Sequence, residues 1–126
     1  MSWLDGHVDD QVCDVTTTGR RTGAAHEIEI WFGVLDGAMA LICGNGPTAD
    51  WYRNMVADPH VEVRVAGEVH EGVARVVTDP DERRRVGDVM GAKHVWGGDP
   101  SIGLTYDAWC YEVPAVVIDF PDAAPR

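Results

Sequence analysis

The chain has 126 residues, 45% of them hydrophobic and 25% charged, proportions that suit one folded domain and exclude a charge-dominated disordered chain. Its 21 acidic residues against 10 basic ones leave a net charge of -11, a field that opposes nucleic acid and anionic lipid surfaces. No run of about 18 apolar residues occurs, so no membrane span is expected.

The opening "MSWLDGHVDD" is acidic where a signal peptide needs a basic start and an apolar run. Residues 1–11 read as a polar lead-in to a single domain covering residues 1–126. Val12 to Thr18 is a β-rich run that ends in "GRRTG", where Gly19 and Gly23 suit a tight reversal. From Ala25 to Val34 the residues alternate, with Ile28, Ile30, Phe32 and Val34 on one face and Glu27, Glu29 and Trp31 on the other. Asp36-Gly37 is a two-residue hairpin signal, and Met39 to Cys43 is the returning strand.

"GNGPTADWYRNMVADP" breaks this pattern. Its glycine turn runs into a short helix that Thr48 is expected to cap and that must stop before Pro59. Trp51 with Met55, and Tyr52 with Val56, form i,i+4 pairs along it. "HVEVRVAG" then places Val61, Val63 and Val65 inward, and after Ala66-Gly67 the run Glu68 to Thr78 completes a second hairpin. Asp79 caps a second helix, with Pro80 in its first position and Glu82 spaced for a capping box. Val86, Val89 and Met90 share its apolar face, while Gly87 and Gly91 argue for a short helix. Gly97 to Tyr106 reads as loop, "VPAVVIDF" as a last strand, and residues 121–126 as a polar tail. Five or six antiparallel strands with two short helices imply a small β-barrel or a strongly curved α+β sheet.

Gly44, Asn45 and Gly46 stand just ahead of a helix start, where free amides favour anions, although the same residues are ordinary turn chemistry. Arg20 and Arg21 offer two adjacent guanidinium groups, suited to phosphate or carboxylate. The residues alone leave open a solvated turn and an anion clamp. Arg53 on the short helix would join the pair if the hairpin tip and helix start are neighbours. Trp31, Trp51, Tyr52, Tyr106, Trp109 and Tyr111 supply flat surfaces, which serve either a core or a pocket for a planar ligand. The five histidines show no HxH or HExxH spacing, so no metal site is expected. Cys13, Cys43 and Cys110 are odd in number and lack CxxC spacing, which suits reduced thiols and a cytoplasmic location.

"TTTGRRTGAAHEIEIWF" followed by "LICGNGPTADWYRNMVADPHVEVRVAG" resembles the deazaflavin (F-420)-dependent nitroreductase family of actinobacterial oxidoreductases. The match runs from about Thr17 to Gly67 and more loosely through residues 79–94. The resemblance implies a split antiparallel β-barrel with two or three short helices, of the pyridoxamine-phosphate-oxidase-like kind. It implies hydride transfer from reduced coenzyme F-420 to a small unsaturated, quinone or nitro-type substrate. Arg20 and Arg21 would hold the coenzyme's phosphate and oligoglutamate chain, and Cys43, Gly44, Asn45 and Gly46 would meet the phosphate or ring through their backbone. Trp51 and Asn54 would shape that loop, Trp31 and Arg53 would adjoin the cofactor, and Tyr106 and Tyr111 would face the substrate or donate a proton. Related barrels are often dimers, so a homodimer is compatible with the resemblance. Two other readings stay open: an FMN-dependent oxidoreductase, and a non-catalytic split barrel that binds a flavin or a lipid-like ligand.

Overall fold

The computed structural model describes residues 2–121. A short 3-10 helix, Trp3–His7, precedes strands β1 (Val12–Thr18), β2 (Ala25–Trp31), β3 (Gly33–Leu35) and β4 (Ala38–Ile42). Helix α1 (Asp50–Ala57) leads to β5 (His60–Val65) and β6 (Glu68–Val76), and α2 (Pro80–Lys93) and α3 (Tyr106–Tyr111) come before β7 (Ala115–Asp119). The strands form one antiparallel sheet in the order β2-β1-β5-β6-β7-β4-β3. β2 and β3 are separated only by Phe32, yet they lie at opposite edges of the sheet. The sheet must therefore curl until its edges meet, which makes it the expected split barrel. No helix among the described residues is long and apolar enough to cross a membrane.

The single strand read over Ala25 to Val34 is thus two. Alternation carries Ile28 and Ile30 inward opposite Val15 and Cys13, but at the fully buried Phe32 the chain leaves β1 and turns toward β4. Both hairpin turns form as the dipeptides predict. Asp36 (φ 52) with Gly37 (φ 79), and Ala66 (φ 50) with Gly67 (φ 86), place positive φ at both central residues, as a I′ turn requires.

Val15, Phe32, Met39, Leu41, Val61, Val63, Val65, Val116 and Ile118 pack inside the barrel, joined by Leu4 from the 3-10 helix and Met55 from α1. The lead-in is therefore part of the core rather than a loose extension. A second cluster lies outside β4 and β7, where Ala40, Ile42 and Val117 meet Val86 and Met90 of α2 and Trp109 and Cys110 of α3. β4 and β7 are covered on both faces, which is why they read as unbroken apolar runs.

Helix α3 occupies a segment whose start, Tyr106, closes the stretch read as loop. It begins at Thr105, whose side chain accepts from the Ala108 N–H. The glycines of α2 do not shorten that helix. They make room for α3: a Cβ on Gly87 would stand 2.4 Å from the Cys110 carbonyl oxygen and from the Tyr111 ring. Two expected caps differ. Ala49, not Thr48, precedes α1 and supplies no side-chain bond. Asp79 caps α2 as read, but the Glu82 carboxylate turns to Arg75 at 2.7 and 2.9 Å instead of completing a box. Of the polar tail, residues 122–126 lie outside the described residues.

Candidate active site

The arginine turn is joined to α1 by a buried amide. Asn54 Oδ1 accepts from the Arg20 backbone N–H at 3.2 Å and from Arg20 Nη1 at 2.8 Å, while its Nδ2 donates to Thr17 Oγ1 at 3.3 Å. Arg20 Nη2 also donates to Asp50 Oδ1 at 3.1 Å. Arg20 is thereby spent largely on holding the turn against the helix start. Arg21 is exposed and makes no ion pair among the described residues. Of the two adjacent arginines, it is the one whose guanidinium is unpaired among the described residues.

A cavity of about 610 Å³ opens beside this turn, lined by Arg20, Arg21, His26, Ile28, Trp51 and Asn54 among others. Ile28 and Trp51 also line the next segment, of about 360 Å³, with Ile30, Gly44, Asn45 and Trp109. A third segment of about 280 Å³ continues past Ile30, Ile42 and Trp109 to Trp31. Together they make one groove along β2, whose outer edge has no strand partner among the described residues. Guanidinium groups lie at one end and indole rings at the other.

The glycine loop forms part of the middle wall. The Cys43 N–H donates to the Pro114 carbonyl at 2.8 Å, and the Gly46 N–H donates to the Cys43 carbonyl at 3.0 Å, so both amides are committed to the fold. Cys43 Sγ donates to the Gly46 carbonyl at 3.0 Å, and burial pushes its thiol up to about 11. Cys43 holds the loop's shape as a neutral thiol, while Gly44 and Asn45 reach the groove. A Cβ on Gly44 would lie 3.3 Å from Trp109, so glycine keeps this wall open.

At the far end Trp31 stacks on His94 with centroids 5.0 Å apart and planes 4° from parallel. His94 Nε2 donates to the Phe32 carbonyl at 2.8 Å, and burial pushes the imidazole below its ordinary value, which favours the neutral ring. Trp96 and Trp109 meet Trp31 edge-on.

The remaining expected residues lie elsewhere. Arg53 is exposed and does not line the groove. Tyr106 donates its hydroxyl to the Gly91 carbonyl, and burial raises its phenol. Tyr111 donates to Asp88 Oδ1 at 2.6 Å, a bond that pushes its phenol up to about 12. Both bind α3 to α2, and neither lines the groove. Trp109, expected only as a core or pocket aromatic, does line the groove, and Ile28, Ile30 and Trp96, together with His94 behind Trp31, are among the groove and wall residues outside the expected set. Ile28 and Ile30 read as ordinary core positions, and the tryptophans fall where helix and loop signals are weak.

Solved structures share this fold. The conserved hypothetical protein Rv2991 from Mycobacterium tuberculosis superposes with a TM-score of 0.71 at 20% identity, over 94% of this chain and 79% of that one. An F420-H2 dependent reductase (FDR-A) superposes at 0.67 with 20% identity, over 87% of this chain and 95% of that one. A pyridoxamine 5'-phosphate oxidase-like protein from Listeria innocua reaches 0.64 at 18% identity, over 94% and 87%. At such identities the likeness establishes the split barrel. The sequence carries the closer relation, since residues 7–95, well over half of the chain, match a single family. The chain belongs to the F420H(2)-dependent quinone reductase family, and it is accordingly an oxidoreductase whose coenzyme is F-420.

Proposed function

We propose that residues 1–126 act as one deazaflavin-binding domain that reduces a small planar acceptor of unsaturated, quinone or nitro type. The observation that carries this reading is the groove itself, with free guanidinium charge at one end and flat apolar walls at the other. Such a shape fits a coenzyme that joins an anionic chain to a tricyclic ring. When bound, the coenzyme supplies a hydride from its C5 carbon.

Within this reading Arg21 meets the anionic chain, and Arg20 sets the turn's position through Asn54 and Asp50. Trp51 forms the wall shared by the two larger segments, and Gly44 with Asn45 gives the ring close access to backbone. Trp31 and Trp109 face the acceptor and displace water from around it. Tyr106 and Tyr111 act at one remove, by fixing α3 and hence Trp109.

The reading is tested by titrating the protein with F-420 and, in parallel, with FMN while following fluorescence of its five tryptophans. Saturable quenching by F-420 at micromolar concentration is expected, with Arg21→Ala weakening it roughly tenfold through loss of a charge-assisted bond. Quenching by FMN alone would overturn the assignment.

A further inference from the structure

Phe32 belongs to neither β2 nor β3, and its backbone is held from two sides. Its N–H donates to the Gln11 carbonyl at 3.2 Å, and its carbonyl accepts from His94 Nε2 at 2.8 Å. Lys93, the residue before His94, grips the same position, with Nζ 3.9 Å from the centroid of the Phe32 ring. The end of α2 is therefore clamped to the point where the chain changes strand partners. A Cβ on Gly33 would stand 2.9 Å from Met90 Sδ, so the helix lies close against this break.

Trp31 stands one residue before the clamp, at the end of an edge strand. Among the described residues only β1 pairs with β2, through Val12 at this position. The indole is 36% exposed, so burial alone does not fix its plane. The imidazole of His94 does: it is buried, lies 4° from parallel with the indole, and is itself tethered by its bond to the Phe32 carbonyl. Trp96 and Trp109 meet Trp31 edge-on, at 86° and 90°. The opposite wall is built in the same way, with Tyr106 22° from parallel behind Trp109 and its hydroxyl bound to the Gly91 carbonyl. Each of these two indoles is thus backed by a ring anchored to a backbone carbonyl.

We infer that His94 is a positioning residue for the acceptor: by stacking on Trp31 it sets the plane of the wall against which a planar acceptor lies. His94 itself lines none of the three groove segments. A wall already fixed in one plane lowers the ordering cost of binding, and it holds the reacting atom in line with the hydride donor. The inference rests on reading the groove as the coenzyme and acceptor site, and it assigns the orientation of the acceptor to a residue behind the wall.

Menadione serves as a planar quinone probe, its binding followed by quenching of tryptophan emission in the full chain without coenzyme. Near-ultraviolet circular dichroism of the free protein reports whether the indoles keep fixed planes. His94→Leu should weaken menadione binding roughly tenfold, the scale of a lost aromatic pair, and flatten the indole dichroism while F-420 affinity stays unchanged. His94→Phe keeps a stacking ring and should recover most of both signals. His94→Gln keeps a donor for the Phe32 carbonyl but no ring, and should not. Absence of menadione binding by the wild type, or an affinity indifferent to all these substitutions, would overturn the inference. So would recovery by Gln in place of Phe, because the bond rather than the stacked ring would then set the wall. A parallel loss of F-420 affinity would overturn it too, since His94 would then serve the fold as a whole. If His94→Leu does not fold, the comparison of Phe with Gln decides the same point. The wild-type F-420 titration keeps the two claims apart. F-420 binding with menadione indifferent to His94 sinks only the positioning claim, whereas a His94-dependent menadione response without F-420 binding supports the preset wall and removes the coenzyme reading.

Discussion

Asn54 on α1 accepts two hydrogen bonds from Arg20, one from its backbone N–H at 3.2 Å and one from Nη1 at 2.8 Å. One buried amide thus fixes both the path of the hairpin tip and the direction of a guanidinium, and in doing so it sets where Arg21 stands.

Replacing Asn54 by Leu keeps the volume and removes the acceptor. The Arg20 groups would then lose a partner in a part-buried place, which costs about 1–3 kcal/mol. Urea unfolding should show that loss, and F-420 affinity should fall even though Asn54 need not touch the coenzyme. Arg53→Ala, on the same helix but away from the groove, should leave affinity unchanged. Equal effects from the two substitutions would show that the latch does not position the site.

Gly87 is where α3 comes closest to α2. Gly87→Ala would place a methyl group 2.4 Å from the Cys110 carbonyl oxygen, so α3 must shift, at a cost of about 1–3 kcal/mol. Because α3 carries Trp109, the tryptophan emission spectrum should change along with the melting temperature. Gly97→Ala is the control, since nothing lies within 4 Å of its added Cβ. A Gly87→Ala protein with wild-type stability and spectrum would contradict the packing described.

The 3-10 helix is tied to β6 by a titratable contact. His7 Nε2 bonds Glu68 Oε1 and Nδ1 bonds Asp10 Oδ2, both at 2.8 Å, and Glu68 Oε2 also bonds His70. The bond to Glu68, then that to Asp10, raises His7 above its ordinary 6.5. The resulting stability is complete below 6.5 and disappears as pH rises through the higher folded value. Glu68 is lowered from 4.5, first by His7, so its share is present above 4.5 and is lost as pH falls through its folded value. His94 acts in the opposite sense to His7, because burial lowers it and protonation below 6.5 disfavours the fold. The informative quantity is therefore the wild-type minus His7→Gln difference in urea midpoint. It should be largest between 4.5 and 6.5 and shrink toward pH 8. A difference that does not vary with pH would mean that the contact is not ionic.

All three cysteines are buried and unpaired. Burial pushes Cys43 up to about 11 and Cys13 up to about 12, and it raises Cys110. Iodoacetamide at pH 8 should label the native chain far more slowly than the urea-unfolded one, as read by mass spectrometry. Rapid labelling of Cys43 alone would show that the 43–46 loop opens in solution.

The alternating valines of β5 and the two I′ dipeptides were legible in the sequence because period-two burial and positive φ are local properties. The break at Phe32 was not legible, because the alternation runs straight through it and only closure of the barrel makes β2 and β3 change partners. The same division runs through the site. Arg20 and Arg21 stood out as adjacent cations, but which of them is free depends on Asn54, 34 positions along the chain from Arg20. Tyr106 and Tyr111 were expected at the substrate side for their phenols, yet both hydroxyls are bound to α2. Trp109 reaches the groove on α3, which Gly87 and Gly91 let lie close against α2.

By itself the sequence determined the kind of protein: local patterning specified the strands apart from the break at Phe32, the two hairpin turns and helices α1 and α2, and a motif spread over fifty residues specified the family. Tertiary structure alone decided how its charges are shared out. Arg20 is held by Asn54 and Asp50, whereas Arg21 makes no ion pair among the described residues. The physical reason is distance, since a hydrogen bond or an ion pair acts over a few ångströms and the partners that decide these roles are far apart along the chain.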